Sequence, residues 1–220
     1  MLSNFHNKKV KLKSSKSRKL SSTRWLQRQL NDPYVQAVKK QGYRSRSAYK
    51  LLEIHQKFKI FNNCNSIIDL GAAPGGWCQV ASQHSQNTKI IAIDLLDIKP
   101  ITGVNFIKGD FHDMQITEKI KELLQGNLVD LIISDMAANT TGHLTIDHIR
   151  TIDLCEKALN LATTILKPGG NFITKIFQGS NETHLFKKIQ HNFNQVKYFK
   201  PSACRKNSRE TYLVALSFKT

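Results

Sequence analysis

Short apolar segments alternate with helix-length segments through most of this chain, and this alternation restricts its fold more than any other feature. Three of the apolar segments are almost wholly hydrophobic, namely SIID at 66–69, KIIAID at 89–94 and VDLIIS at 129–134. Strands of this kind are usually buried on both faces in a parallel sheet covered by helices. Because parallel neighbours require crossover connections, the alternation predicts a doubly wound α/β fold.

Seven strands and five helices are predicted from hydrophobic periodicity. The strands are 66–70, 89–94, 104–108, 129–134, 171–177, 195–200 and 212–218, and the helices are 44–55, 76–83, 117–125, 146–166 and 182–193. Only a loop at 201–210 separates the last two strands, so we expect an antiparallel pair at the edge of an otherwise parallel sheet. A basic tail at 1–22 is expected to precede a single domain at 23–220.

The positive charge of the chain is concentrated at its two ends. The 220 residues carry 33 Lys and Arg against 16 Asp and Glu, a formal charge of +17. Residues 1–50 contain 14 basic and 1 acidic side chains, residues 51–174 contain 10 and 13, and residues 175–220 contain 9 and 2. Basic ends around a nearly neutral middle favour a polyanionic partner, although a solvated tail has the same composition.

The same sequence lacks the marks of membrane or secreted proteins. It contains no apolar run of the roughly 20 residues that a membrane-spanning helix needs and no secretory signal. Four cysteines without metal-ligand spacing indicate reduced thiols rather than a disulfide scaffold. We expect a cytoplasmic protein, with a mitochondrial one as the alternative, because the basic, Ser-rich N-terminus is compatible with a transit peptide.

The segment IIDLGAAPGGW at 67–77 places a glycine-rich turn between a predicted strand and a predicted helix. Glycine admits positive φ and a close approach of the backbone to a ligand, and a helix start offers N–H groups without intrahelical partners. Ligands of open α/β sheets bind beyond the carboxyl ends of the strands. A tight turn without any ligand needs the same glycines, so the turn alone does not decide the function.

Acidic residues close three successive predicted strands beside this turn. Asp94 follows Gly71 by 23 residues, about where an acid meets ribose hydroxyls in nucleoside sites, and Asp110 and Asp135 end the next two strands. The run GAAPGG departs from the GxGxxG that admits a pyrophosphate. We therefore expect S-adenosylmethionine, an adenosine cofactor whose positive sulfonium suits acidic surroundings, and no metal.

At these residues the sequence resembles the FtsJ/RlmE family of RNA ribose 2′-O-methyltransferases, over about 22–218. The matching blocks are SSTRWLQRQLNDPYV, GYRSRSAYKLLEI, IIDLGAAPGGW, IIAIDLL, GDF, SDMAANTTG, LKPGG, TKIFQG and SRETYLVA. The resemblance implies a Rossmann-like methyltransferase fold. It also implies family cofactor positions at Gly75, Trp77, Asp94, Asp110 and Asp135. One departure is Ala138, which stands where the family usually has proline.

The predicted site residues follow from these blocks. By local motif, the family's catalytic Lys-Asp-Lys-Glu set falls on Lys50, Asp135, Lys175 and Glu210. With neighbouring positions, the predicted cofactor-binding residues are Gly71, Ala72, Pro74, Gly75, Gly76, Trp77, Asp94, Leu95, Asp110, Phe111 and Asp135. The predicted RNA-binding residues are Arg44, Arg46, Lys197, Lys200, Arg205 and Arg209.

Methyl transfer to a ribose hydroxyl requires alignment of three atoms and removal of one proton. Lys175 interrupts the apolar run FITKIF, and a lysine in a buried strand is costly unless it is paired or functional, so we assign it the activating role. Lys50 would steer the nucleophile or its phosphate, and Asp135 and Glu210 would orient the two amines. Taken alone, Lys50 could be a solvated helix residue and Glu210 a surface ion-pair partner.

The resemblance favours a uridine of large-subunit ribosomal RNA as the substrate, methylated by a monomer. A transfer RNA or a mitochondrial ribosomal RNA is the nearest alternative. A non-catalytic ribosome-assembly factor with the same fold remains a second class, and a dehydrogenase is a distant third. If the chain binds RNA, its two basic ends should meet beside the cofactor pocket.

Overall fold

All seven predicted strands form and join one sheet in a computed structural model of the chain. The structure describes residues 12, 20–85, 87–138, 141–179, 182–205 and 207–220. The strands are β1 Ser66–Leu70, β2 Lys89–Asp94, β3 Val104–Lys108, β4 Val129–Ser134, β5 Leu166–Phe177, β6 Phe193–Phe199 and β7 Glu210–Phe218. The helices are α1 Leu20–Leu30, α2 Pro33–Gln41, α3 Ser47–Phe58, α4 Gly76–His84, α5 Met114–Leu124, α6 Leu144–Ile165 and α7 Glu182–Asn192.

The strand order is β3-β2-β1-β4-β5-β7-β6, and only β7 runs against its neighbours. The expected antiparallel pair at the edge of a mostly parallel sheet is therefore confirmed. Within that pair, β6 is the edge strand and β7 lies inside it, paired with both β5 and β6. The chain thus inserts its seventh strand between its fifth and sixth.

Helices cover both faces of the sheet because consecutive strand residues point to opposite sides. Ile67 packs with α3 and α4, whereas its neighbour Ile68 packs with α5, α6 and α7. Both isoleucines are fully buried. The nearly continuous apolar strands of the sequence therefore supply two cores, one on each side of the sheet.

Two N-terminal helices were not predicted. In α2 the Asp32 side chain accepts a hydrogen bond from the Tyr34 N–H, Pro33 occupies the first turn, and Gly42 ends the helix with φ 76°. Proline at a helix start and glycine after its end are the usual signals for these positions. Of the expected tail, residues 1–11 and 13–19 lie outside the described residues, and α1 begins at Leu20.

Several predicted boundaries move by a few residues. The largest shift is at β5, which starts at Leu166 rather than 171, because LKPGG joins the sheet through Leu166 opposite Val129. Helix α3 starts at Ser47 rather than 44. Among the described residues, no helix is long and apolar enough to cross a membrane.

Candidate active site

A cavity of about 580 Å³ lies beyond the carboxyl ends of β1 to β4. In the strand order, β1 and β4 are neighbours, and the chain leaves them toward opposite edges of the sheet. Such a reversal opens a crevice where ligands of α/β proteins bind. The topology therefore puts the cavity where the glycine-rich turn and the three predicted acids converge.

Six of the predicted cofactor-binding residues line this cavity: Gly71, Asp94, Leu95, Asp110, Phe111 and Asp135. The other five, Ala72, Pro74, Gly75, Gly76 and Trp77, are not among its lining residues. The Trp77 indole is buried toward α3, where its Nε1–H donates to the Ser47 carbonyl at 2.9 Å. Any cofactor contact at Trp77 would therefore come from its backbone.

The far wall of the cavity was missed by the sequence analysis. It consists of α6 residues Arg150, Asp153, Leu154 and Lys157, together with 136–138 after β4. Lys157 and Asp153 form an ion pair at 2.9 Å, one helical turn apart. Charged residues spaced along a helix usually indicate a solvated face, so the sequence carried no signal for this placement. Ala138, the departure from the family pattern, also lines the cavity.

Two of the predicted acids hold the loops around the cavity. Asp94 accepts hydrogen bonds from the Ala73 and Leu96 N–H groups, both at 2.8 Å. Asp110 contacts His112 through that residue's backbone N–H at 3.0 Å and its Nδ1 at 2.6 Å. These contacts with His112 hold the pKa of Asp110 below its usual value against a raising effect of burial. Both residues line the cavity, and a carboxylate has about four lone-pair sites, so each can accept further hydrogen bonds.

Sheet register brings the predicted catalytic residues together. Ser134 of β4 pairs with Thr174 of β5, so Asp135 and Lys175 follow side by side, and Lys175 pairs with Tyr212 of β7. Glu210 begins β7 opposite Phe177. Three neighbouring strands therefore deliver their polar residues to one end of the sheet, and α3 adds Lys50 from the face above.

The four predicted catalytic side chains form one connected ion cluster. Lys50 Nζ lies 2.5 Å from Glu210 Oε1 and 3.8 Å from Asp135 Oδ1, and Lys175 Nζ lies 3.1 Å from the same Asp135 oxygen. Lys175 Nζ also donates to the Asp135 carbonyl. The side chains of Lys50 and Lys175 are only 11% and 8% exposed. Neither lysine is therefore a solvated surface residue.

The proximity of Lys50 and Asp135 shifts the pKa of each. Burial by itself lowers the pKa of Lys50, but Asp135 and Glu210 outweigh it and raise that pKa above its usual value. Burial by itself raises the pKa of Asp135, but Lys175 and Lys50 outweigh it and lower that pKa. Lys50 is therefore a cation and Asp135 an anion at neutral pH.

Tyr212 is a fifth member of the cluster that the sequence analysis did not single out. It is fully buried, and its hydroxyl lies 2.7 Å from Asp135 Oδ1 and 2.9 Å from Glu210 Oε1. A phenol has one proton to donate, so it is shared between the two carboxylates. Burial, with the two carboxylates, raises the pKa of Tyr212 well above its usual value. The sequence feature that could have identified Tyr212 is its position in the SRETY block, two residues after Glu210.

The predicted RNA-binding residues fall into two groups. Arg46 forms an ion pair with Asp32, donates to the Ala203 carbonyl and lies over the Tyr34 ring, and Arg44 donates to three backbone carbonyls. These two guanidinium groups are engaged within the protein. The other four, Lys197, Lys200, Arg205 and Arg209, are exposed on β6 and the loop that follows it.

The residues of the cavity suit S-adenosylmethionine. Four carboxylates line the cavity, and three of them, Asp94, Asp110 and Asp135, match ribose hydroxyls and a cationic sulfonium, whereas Asp153 is paired with Lys157. A Cβ on Gly71 would lie 2.4 Å from Met136 Cγ. Gly71 therefore keeps the β1 and β4 loops in contact at the cavity wall. Among the described residues, no group of three or more His, Cys, Asp or Glu side chains is arranged to hold a metal ion.

A family model, sequence relatives and a solved structure that are similar to this chain all belong to methyltransferases. The family model for FtsJ-like methyltransferases matches residues 43–218. "Ribosomal RNA large subunit methyltransferase E" of Rickettsia akari is 54% identical over 99% of this chain and 98% of its own length, and the protein of the same name from Rickettsia canadensis is 53% identical over the same shares. A crystal structure of a Plasmodium falciparum protein described as a ribosomal RNA methyltransferase superposes with a TM-score of 0.74. It is 34% identical and covers 80% of this chain and 98% of that one.

Proposed function

The chain belongs to the FtsJ-like methyltransferase family, and from this premise we propose that it methylates the 2′-oxygen of a ribose in large-subunit ribosomal RNA with S-adenosylmethionine as the donor. The observation that carries the proposal is the connected cluster of Lys50, Asp135, Lys175 and Glu210. This cluster adjoins the cavity through Asp135, which belongs to both.

For methyl transfer, the protein has to align the reacting atoms and accept or polarise one proton. S-Adenosylmethionine, when bound, supplies an electrophilic methyl group on a positively charged sulfur. A bond forms between the ribose oxygen and the methyl carbon, the carbon–sulfur bond breaks with its electron pair left on sulfur, and the hydroxyl proton departs. Residues that hold the hydroxyl in line and receive its proton can therefore supply most of the acceleration.

We assign these tasks by position in the cluster. Lys175 Nζ is held by the Asp135 carboxylate and carbonyl. As a neutral amine it takes the hydroxyl proton on its lone pair, and as an ammonium it polarises the hydroxyl. Lys50, a cation stabilised by Glu210, steers the nucleophile or an adjacent phosphate. Asp135 and Glu210 orient the amines. Asp94 and Asp110 bind the adenosine.

We propose a uridine of the large subunit as the target and the bacterial cytoplasm as the place of action. The large subunit is supported by the name of the Rickettsia relatives, which match along nearly the whole chain, and the uridine by the family resemblance alone. The four exposed basic residues on β6 and the following loop are proposed to contact the RNA backbone, because clustered Lys and Arg bind phosphates.

Comparing 2′-O-methyl positions in total RNA from cells with and without the gene tests the substrate. We expect a single large-subunit position to lose its methyl group in the absence of the gene. Loss at a transfer RNA position instead would reassign the substrate. An unchanged map together with defective subunit assembly would favour the non-catalytic assembly factor.

Lys175→Ala tests the mechanism. Removal of the amine should abolish methyl transfer while S-adenosylmethionine still binds, because Lys175 is not among the residues lining the cavity. Single-turnover methylation and calorimetric cofactor binding are the two measurements. Lys121→Ala, which removes a lysine 58% exposed on α5, is the matched control and should keep wild-type turnover. Near-wild-type turnover of Lys175→Ala would overturn the assigned role.

A further inference from the structure

Arg44 joins three parts of the chain at the cofactor side of the molecule. Its Nη1 donates to the carbonyls of Pro74 at 3.3 Å and Lys99 at 2.5 Å, and its Nη2 donates to the carbonyl of Pro100 at 2.8 Å. Pro74 belongs to the glycine-rich turn after β1, and Lys99 and Pro100 belong to the loop between β2 and β3. Arg44 itself stands three residues before α3, the helix that carries Lys50.

The backbone around Arg44 is bound to the same region. The Arg44 N–H donates to Gln79 Oε1 of α4 at 2.7 Å, and Gln79 Nε2 donates to the Gly42 carbonyl at 3.1 Å. The Trp77 indole also donates to the Ser47 carbonyl. Two side chains of α4, Gln79 and Trp77, therefore fix the backbone of segment 42–47 to that helix.

Two glycines of the turn are required by this segment. A Cβ on Gly75 would lie 2.8 Å from Arg44 Nη1, and a Cβ on Gly76 would lie 2.2 Å from Ser45 Oγ. Neither glycine lines the cavity. The sequence pattern suggested that these glycines admit a ligand, whereas in the structure they admit the segment that leads into α3.

A guanidinium suits this position better than an ammonium. Its planar fork presents five N–H donors in fixed directions, whereas lysine offers three donors from a single point on a flexible stem. Both Nη atoms of Arg44 already bond backbone carbonyls of two separate loops. Removal of the side chain would leave three carbonyls without this partner and would uncouple the two loops from each other.

We infer that Arg44 is a positioning residue for the cofactor site and not a ligand of RNA. It holds the glycine-rich turn and the β2–β3 loop in place around the cavity, and it ties both to the helix that presents Lys50. This inference rests on the proposed function, since it concerns the same cofactor site. Arg44, one of the two arginines in YRSR, therefore supports the cofactor site, whereas the sequence analysis had predicted that it binds RNA.

The test compares Arg44→Ala, Arg44→Lys and Arg205→Ala in the full chain. For Arg44→Ala we expect the Kd and the KM of S-adenosylmethionine to rise at least about tenfold, with kcat changed much less, because the geometry of the cavity is lost while the ion cluster remains. Arg44→Lys should recover part of the affinity, since one carbonyl can still be reached. Calorimetry on RNA-free protein gives the Kd.

The salt dependence of RNA binding distinguishes a positioning role of Arg44 from a direct contact between Arg44 and RNA. A lost phosphate contact lowers the slope of log Kobs against log salt by about one. We expect this slope to be unchanged in Arg44→Ala and reduced in Arg205→Ala, whose side chain is exposed. If Arg44→Ala instead lowers the salt slope and leaves the cofactor Kd unchanged, Arg44 is an RNA ligand and the inference is wrong.

A second pair of variants tests the same inference in case Arg44→Ala does not fold. Gly76→Ala should weaken cofactor binding by displacing Ser45, and Ser45→Ala in the same chain should restore it, because the clash involves Ser45 Oγ while Ser45 Cβ lies at 3.4 Å. Absence of this rescue would mean that the added methyl blocks the cofactor directly, against the inference. If the wild-type chain binds no S-adenosylmethionine, the proposed function itself fails.

Discussion

Asp69 is a fully buried carboxylate in the middle of the apolar strand β1. Its Oδ2 accepts a hydrogen bond from the Cys78 thiol at 3.0 Å, whereas its Oδ1 is buried without a hydrogen-bond partner among the described residues. Burial raises the pKa of Asp69 to about 7. In the unfolded chain the same carboxyl titrates near its usual pKa of about 3.9.

Asp69 should therefore make the protein less stable as the pH rises from about 4 to 7. The folded state holds this proton more tightly than the unfolded state, so the free energy of unfolding falls over that interval, by about 1 kcal/mol per pH unit at the steepest. In Asp69→Asn this component of the pH dependence should vanish. Thermal unfolding measured from pH 4 to 8 provides the comparison with wild type.

Asp97→Asn is the matched control for that experiment. Asp97 is 74% exposed in a surface ion pair with Lys108, so its replacement should leave the shape of the stability curve unchanged. If the Asp69→Asn and wild-type curves run parallel across the whole interval, Asp69 is ionised in the folded protein and the assigned titration is wrong.

Tyr212→Phe probes the proton that the Tyr212 hydroxyl shares between the Asp135 and Glu210 carboxylates. Both acids keep their lysine partners when the hydroxyl is removed, so the loss amounts to about one ordinary hydrogen bond, 0.5–1.5 kcal/mol. We expect kcat to fall by about threefold to tenfold, with cofactor affinity unchanged. Stopped methylation assays under saturating substrate measure this. A loss as complete as that of Lys175→Ala would place Tyr212 among the reacting groups.

Site residues were assigned from the sequence only where a local motif marked them. Lys50, Asp135, Lys175 and Glu210 each lie in a recognisable block, and the structure brings their side chains together, while their catalytic roles stay predictions. Tyr212 could not be distinguished from a core tyrosine by its strand pattern. Nor does any pattern in GGW reveal that the Trp77 side chain points toward α3 and away from the cavity.

At the scale of elements, the Glu53 side chain of α3 forms hydrogen bonds with both α2 and the loop between β6 and β7. Its carboxylate accepts hydrogen bonds from the Ser202 N–H at 2.5 Å, the Ala203 N–H at 3.1 Å and the Tyr34 hydroxyl at 3.3 Å. Elements separated by about 150 residues in sequence therefore meet at one side chain.

Glu53→Ala should lower the free energy of unfolding by about 2–3 kcal/mol, because hydrogen bonds to a charged group are worth about 1.5–3 kcal/mol each and the side chain is half-buried. Glu53→Gln should lose less, since one acceptor oxygen remains. Denaturant unfolding gives both values. Glu118→Ala, which removes an exposed acid on α5, should change stability by less than about 0.5 kcal/mol. Equal losses in all three variants would contradict the role of Glu53.

Element prediction succeeded where apolar periodicity was strong and failed where capping carried the information. All seven strands were found, and the clearest were β1, β2 and β4, whose residues are almost all buried between helices on both faces of the sheet. Helix α2 was missed although Asp32, Pro33 and Gly42 mark its ends, since its nine residues bury only Ala37 completely. The α6 wall of the cavity was beyond sequence reasoning, because which charged helix face turns toward a ligand depends on tertiary packing.

At the scale of the whole molecule, the described part of the N-terminal basic block contacts the C-terminal one. Lys50 pairs with Glu210, and Arg46 bonds the Ala203 carbonyl. Lys50 also pairs with Asp135, which lines the cavity, so these contacts agree with the expected convergence of the two ends beside it. Every residue that lines the cavity lies between 71 and 157, in the slightly acidic middle of the chain, and its carboxylates suit a cationic ligand.

Cofactor binding should stabilise the whole fold through linkage. At 100 times its Kd, a ligand that binds only the folded state contributes about 2.7 kcal/mol, and each kcal/mol shifts Tm by about 2–4 °C in a chain of this size. S-Adenosylmethionine should therefore raise Tm by about 5–10 °C. Asp94→Ala should show a smaller shift at the same concentration, because the carboxylate that we propose binds the adenosine, and that holds the Ala73 and Leu96 N–H groups, is lost. Scanning fluorimetry measures both.

NAD is the control ligand for that measurement. It should leave Tm unchanged, since the turn GAAPGG lacks the glycine spacing that admits a pyrophosphate. An equal shift with NAD would revive the dehydrogenase alternative, and the absence of a shift with S-adenosylmethionine would remove the proposed cofactor.

The position of β7 between β5 and β6 makes two parts of the molecule depend on one strand. Every residue that lines the cavity lies between 71 and 157, whereas Glu210 and Tyr212 of the ion cluster lie on β7. Strand β7 is also the neighbour of both β5 and β6 in the sheet. A change that distorts β7 should therefore disturb the ion cluster and the sheet edge together, although β7 itself contributes no residue to the cavity wall.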